Sequence, residues 1–143
     1  MDADRANQLC HIATQWVLEH DDLRGLLLVG SWARHEARPD SDLDFVIICT
    51  KPEQYRDLRA SPIPFEFVKQ KLVEYGAVFS HHVTLADGAE VELAFAALSW
   101  AATDPMDDGT REVISRGMKS LVDKDGLLRE LAHKIEKSAS ADR

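Results

Sequence analysis

Two aspartates, Asp42 and Asp44, stand one residue apart at the start of Asp42-Leu43-Asp44-Phe45-Val46-Ile47-Ile48-Cys49, a run that is otherwise apolar. Alternate side chains of a β-strand share a face, so both carboxylates leave the same side of a ribbon whose other residues favour burial. Like charges a few ångströms apart repel, and a packed strand gains nothing from holding them there. A divalent cation resolves the conflict. Mg²⁺ prefers hard oxygen ligands and is commonly held by one or two carboxylates together with substrate phosphates.

Upstream, Gly25 to Val29 (Gly-Leu-Leu-Leu-Val) is a continuous apolar run, the pattern of a strand covered on both faces. It ends at Gly30-Ser31, where the chain must turn. Gly30 permits a tight turn and close backbone approach. Ser31 and Trp32 are expected to open a short helix, Trp32 to Arg38, stopped by Pro39. Its free N–H groups and the Ser31 hydroxyl would face an anion, placing a triphosphate between the turn and the metal. A third carboxylate completes a two-metal site. Glu92 interrupts Val91-Glu92-Leu93-Ala94-Phe95 as a charge inside a strand pattern. It is preferred to Glu90, which shares its face but lies nearer a turn, where solvent explains it. Glu92 would ligate one ion and help deprotonate an attacking hydroxyl.

The remaining pattern is that of one α/β unit spanning residues 1–143. Leu9, Ile12, Ala13, Trp16 and Val17 fall on one face of a helix from about Asp4 to His20. Pro52 suggests a helix over Glu53 to Arg59. Ser61-Pro62-Ile63-Pro64 is a loop, and Phe65 to Glu74 reads as another helix. Ala77 to Leu85 and Ala89 to Phe95 read as strands joined at Ala86-Asp87-Gly88. Asp104-Pro105 breaks the chain, Gly109 to Arg116 suggests a short helix, and Leu121-Val122 a brief strand. A last helix, Gly126 to Lys137, presents Leu127, Leu128, Leu131, Ala132 and Ile135, with Asp123 and Asp125 as caps and a frayed tail from Ser138 to Arg143. The expected architecture is a small mixed sheet with helices packed on one side.

Net charge is −8. Proteins that hold nucleic acid by its phosphates usually present a basic surface, so a long nucleic-acid substrate is disfavoured against nucleotides, small molecules and protein partners. Cys10 and Cys49 sit in apolar surroundings and read as free thiols in a reducing cytoplasm. No signal peptide is evident, and no apolar stretch reaches the roughly 18 residues of a membrane span. Weaker signals take their ordinary readings. Arg34 faces solvent, His81-His82 is structural or exposed rather than a ligand, and Trp100 packs rather than stacking on a base. Lys69, Lys71, Lys119 and Lys124 are individually weak phosphate tethers.

Gly30-Ser31, a ten-residue spacer containing Ala33-Arg34, then Ser41-Asp42-Leu43-Asp44 resembles the signature of the DNA polymerase β-like nucleotidyltransferase superfamily. Within it, the chain is similar to minimal nucleotidyltransferases and to the N-terminal domains of antibiotic nucleotidyltransferases. The resemblance covers residues 23 to 50 and more loosely Glu92 to Trp100. It implies the nucleotidyltransferase fold, Asp42 and Asp44 as metal ligands, Gly30 and Ser31 on the triphosphate, and an acid on a later strand. His35 stands where many members carry glycine, and Glu92 where aspartate is more frequent. The expected activity is Mg²⁺-dependent transfer of a nucleoside monophosphate from an NTP, foremost ATP, to a hydroxyl of a small molecule, with Asp42, Asp44 and Glu92 holding two Mg²⁺ ions and pyrophosphate leaving. An antitoxin that binds or adenylylates a helical toxin, or a member without turnover, are the alternatives. A homodimer would supply the acceptor wall that larger relatives build from an extra domain.

Overall fold

The computed structural model describes residues 1–76, 78–101, 110–111 and 117–141, with backbone alone beyond residue 134. The chain opens with α1 (Ala3–Glu19), capped by the Asp2 side chain, which accepts from the Arg5 N–H at 2.8 Å. Ala6, Leu9, Ala13, Trp16 and Val17 form its buried stripe. At its far end the Lys124 ammonium donates to the carbonyls of Val17 and His20, at 2.8 and 2.9 Å. A cation there satisfies carbonyls that the helix leaves unpaired.

Six strands follow: β1 (Leu23–Val29), β2 (Leu43–Cys49), β3 (Lys69–Tyr75), β4 (Val78–Thr84), β5 (Glu90–Ala97) and β6 (Met118–Asp123). They form one sheet in the order β3-β4-β5-β2-β1-β6. Only β2 and β5 run parallel, in register from Leu43↔Val91 to Cys49↔Ala97. The other neighbours are antiparallel, so the sheet is mixed, as expected. The central strands are apolar on both faces because both faces are covered. Helix α2 (Leu127–Ala141) closes the described chain.

Helices α1 and α2 do not share a side. Leu26, Leu28, Phe45, Ile47, Leu93 and Phe95 pack with α1. Their neighbours along the strands, Leu27, Val46, Ile48 and Ala96, pack with Leu128 and Leu131 of α2. Strand alternation therefore places α1 and α2 on opposite faces, not on the single side assigned from sequence.

Other local expectations change for identifiable reasons. Trp32–Arg38 is not a helix but one turn over Ser31–His35, ended by His35 at φ 59. Glu53–Arg59 shortens to a 3₁₀ turn, Pro52–Tyr55. Tyr55 is buried with its hydroxyl donating to Asp22, and the Asp57 carboxylate accepts from the Arg59 N–H, so local side-chain bonds replace further helix. Phe65–Glu74 is not a helix: residues 65–68 are irregular, and Lys69–Tyr75 becomes edge strand β3, paired antiparallel to β4 from Lys69↔Thr84 to Tyr75↔Val78. Helix α2 continues through Ala141, past the point where the tail was expected to fray. Asp123 caps it by accepting from the N–H groups of Leu128 and Arg129. Asp125 instead makes a bidentate pair with Arg24. Asp104-Pro105, most of Gly109–Arg116, the residue Ala77 and the side chain of Ile135 lie outside the described residues. Both cysteines are free thiols. Among the described residues no helix is long and apolar enough to cross a membrane.

Leu128 is 1% exposed, and its Cδ1 lies 3.2 Å from where a Cβ on Gly25 would sit. Leu128→Ala is expected to lower unfolding stability by about 2–5 kcal/mol, the range for deleting a buried leucine, read by chemical denaturation. A loss under ~0.5 kcal/mol would mean that α2 does not cover this face.

Candidate functional site

The β2–β5 ladder builds the site. Parallel pairing sets Asp44 directly beside Glu92, on the face that α2 covers further along. Asp42, just before β2, and Glu90, at the start of β5, lie one step outward on the same face. The carboxyls of Asp44 and Glu92 are within hydrogen-bond reach of one another, as are those of Asp42 and Glu90. Each aspartate thus has a glutamate partner across the ladder, and the structure brings Asp42, Asp44, Glu92 and the rival Glu90 together.

Repulsion in such a cluster is large. Two full charges ~4 Å apart at an effective dielectric of ~20 oppose each other by about 4 kcal/mol, against a net domain stability of ~5–15 kcal/mol. Protonation answers it when no cation is present. Asp44 is pushed up to about 7, first by burial and then by the charges of Glu92 and Asp42. Glu90 is raised by its bond to Asp42. Arg34 acts in the opposite sense on Asp44, its positive charge favouring the carboxylate. Arg34 is exposed, as expected, and pairs with Glu36, while its stem lies over Gly117, where a Cβ would meet Arg34 Cγ at 2.9 Å.

Gly30 has two reasons to be glycine. Its φ is 76, in the left-handed region, and a Cβ there would stand 2.4 Å from Asp44 Oδ2. The turn that follows is closed by N–H groups of Ala33 and Arg34 on the Gly30 carbonyl and of Glu36 on the Ser31 carbonyl. The N–H groups of Ser31 and Trp32 lie outside this internal bonding. His35, the one non-glycine residue with positive φ among the described residues, occupies the position where the sequence signature usually has glycine. The backbone keeps the left-handed turn with an imidazole on it.

The structure sorts the weaker candidates by face. Lys71, His82, Glu92 and Asp44 stand opposite one another in succession across β3, β4, β5 and β2. Lys69, Thr84 and Glu90 form the next row outward. Lys119 pairs with Leu28, on the α1 face, and Lys124 caps α1, so neither adjoins the carboxylates. His81 is structural as expected: buried, with Nδ1 2.8 Å from Gln70 Nε2 and Nε2 2.6 Å from the Tyr55 carbonyl oxygen. Its neighbour His82 is partly exposed and lies on the opposite face, toward the carboxylates. Tyr75 also borders the site; after burial, the charges of Glu92 and Asp44 raise its phenol. Sequence reading missed it because β3 was taken for a helix. The Tyr75-Gly76 step, with Gly76 at φ 66, was the available hairpin signal. Trp100 packs beside the α2-side core.

Among the described residues, no three His, Cys, Asp or Glu side chains converge tightly enough to enclose a metal ion. The donor set suits a cation held by one or two carboxylates, with substrate oxygens and water completing its shell, which is the usual manner of Mg²⁺.

The model of a family described as nucleotidyltransferase domain matches residues 16–92. Among solved structures, an aminoglycoside 6-adenyltransferase from Bacillus subtilis is 15% identical, with a TM-score of 0.53 over 67% of this chain and 36% of that one. A nucleotidyltransferase-like protein from Exiguobacterium sibiricum is 14% identical, with a TM-score of 0.50 over 92% of this chain and 38% of that one. At these identities the likeness is one of fold, and the chain spans little more than a third of either structure's length. No curated protein matches in sequence.

The raised Asp44 sets a sign for stability. Between the ordinary aspartate value, near 3.8, and about 7, the folded metal-free protein binds the proton that the unfolded chain has released. Stability from this group is full below the lower value and is lost as pH rises through the upper one. Asp44→Asn is therefore expected to raise the metal-free melting temperature at pH 8 by about 2–5 °C and to leave it nearly unchanged at pH 4. An equal shift at both pH values would remove the electrostatic origin. Gly30→Ala is expected to cost about 2 kcal/mol or more by chemical denaturation, from left-handed backbone plus the Asp44 clash.

Proposed function

The chain belongs to the nucleotidyltransferase domain family, and from that premise we propose that it transfers a nucleoside monophosphate, foremost AMP from ATP, to a hydroxyl of a small molecule and releases pyrophosphate. The observation that carries this reading is the half-buried Asp44, set against Glu92 and Asp42 and pressed against a glycine turn that leaves no room for a side chain.

In this proposal Asp42 and Asp44 hold divalent cations, with Glu92 as the third acid and Mg²⁺ the expected ion. When bound, the metal supplies positive charge for the phosphates and lowers the pKa of the acceptor hydroxyl. Gly30 brings the backbone close to the triphosphate, and the Ser31 hydroxyl and N–H donate to its oxygens. The acceptor oxygen forms a bond to the α-phosphorus in line with the bond to the β-phosphate oxygen, which breaks. The hydroxyl proton passes to the Glu92 carboxylate, and pyrophosphate departs. Arg34, whose charge already bears on Asp44, lies on the turn side and faces the same anion. The acidic rim formed by Asp42 and Glu90 suits an acceptor that carries amines.

Calorimetric titration with ATP and Mg²⁺ tests the site. Wild type is expected to bind, and Asp42→Ala/Asp44→Ala to lose at least tenfold in affinity, about 1.4 kcal/mol. Equal binding by both proteins would rule out these ligands. Incubation with α-labelled ATP and a panel of hydroxyl acceptors, amine-bearing ones included, then reads transfer. Label on an acceptor only with intact Asp44 is the expected result; binding without label on any acceptor would favour a member without turnover.

A further inference from the structure

His81 and His82 are adjacent in β4, but only His81 has its ring nitrogens engaged on the buried side. His82 faces the carboxylates, opposite Glu92 on one neighbour and Lys71 on the other. Its Nε2 lies 3.1 Å from Glu92 Oε1. This nitrogen is buried and has no hydrogen-bond partner. Glu92 therefore stands between two groups: the Asp44 carboxyl on one side and the His82 ring on the other.

We propose that His82 is the positioning residue for Glu92 and selects it over Glu90 as the third acid of the site. A modest rotation of the Glu92 carboxylate aligns Oε1 with the Nε2–H of His82 and leaves the other oxygen directed toward Asp44. Packing does not do this job. A cavity of about 100 Å³ opens beside the ring, lined by Asp42, His82, Val83, Thr84, Glu90 and Val91. Glu90 is more exposed and stands opposite Thr84 on β4; the His82 charge reaches it too, but the ring's close carboxylate contact is with Glu92. An imidazole behind a ligating carboxylate fixes which oxygen faces the ion, and outer-shell partners of this kind commonly change metal affinity 10–100-fold. The inference rests on the function proposed above, because it concerns how that site holds its ion.

The test is Mn²⁺ binding, followed by electron paramagnetic resonance of the free ion, with a non-hydrolysable ATP analogue present and the whole chain in use. His82→Leu is expected to weaken Mn²⁺ binding about tenfold or more, while His82→Gln, which keeps an N–H donor, stays within about threefold of wild type. Metal-free melting temperatures of the two variants should agree, separating a local effect from lost folding. Glu92→Gln should weaken binding to a similar degree, and His82→Leu added to it should weaken it no further, because the ring acts through that carboxylate. Unchanged binding by His82→Leu, or additive losses in the double variant, would overturn the role of His82. If Asp44→Ala binds Mn²⁺ as wild type does, the metal site itself is wrong. Asp44-dependent binding that ignores both His82 variants would sink the positioning role alone.

Discussion

The in-register parallel pairing of β2 with β5 is the constraint around which the molecule is arranged. It forces Asp44 against Glu92 and brings Asp42 to Glu90, so the sheet carries a concentration of negative charge at one end of its most buried pair of strands. Several features accommodate that charge. Gly30 keeps its side of Asp44 clear, Arg34 lends a counter-charge, and Asp44 holds its proton to higher pH than an aspartate in water. A chain selected for stability alone would replace these acids with apolar residues of similar volume. Such a cluster of mutually perturbed carboxyls is the feature on which the proposed cation and anionic-substrate site rests.

The sheet divides its labour by face. The α1 side is an aromatic core in which Trp16, Tyr55, Phe79 and Phe95 contact one another, with Tyr55 and Phe95 stacked at 4.8 Å. The opposite side is split along the strands. Helix α2 covers the end bearing Leu27, Val46, Ile48 and Ala96, and the carboxylates occupy the other end. His81 and His82 show the division at one step of β4, the first tied into the aromatic layer and the second turned to the acids. A packed apolar layer behind a polar row holds the side chains of that row in place.

The legible parts of the site were those whose signal is local. Gly30-Ser31 and Asp42-x-Asp44 announce a turn and a shared strand face through nearest-neighbour spacing. Glu92 stood out because a charge broke an apolar pattern. The missed parts depend on partners far along the chain. Phe65–Glu74 carries apolar residues at spacings that suit a helix, and only the unpaired edge of β4 recruits Lys69–Tyr75 as a strand. With β3 misread, the row from Lys71 to Asp44 and the approach of Tyr75 could not be seen. The turn at His35 was misread as helix because imidazole at positive φ is uncommon and the signature's glycine is absent.

By itself, then, the amino-acid order determined the apolar strands, the amphipathic helices, the glycine turn and the pair of aspartates on one face. Each follows from backbone sterics and a side-chain period that operate over a few residues. Only the tertiary structure decided which glutamate meets which aspartate, that the helices take opposite faces, and that His82 rather than His81 looks onto the acids. Those outcomes depend on strand order and register, which are set by burial across the whole sheet and have no counterpart in local spacing.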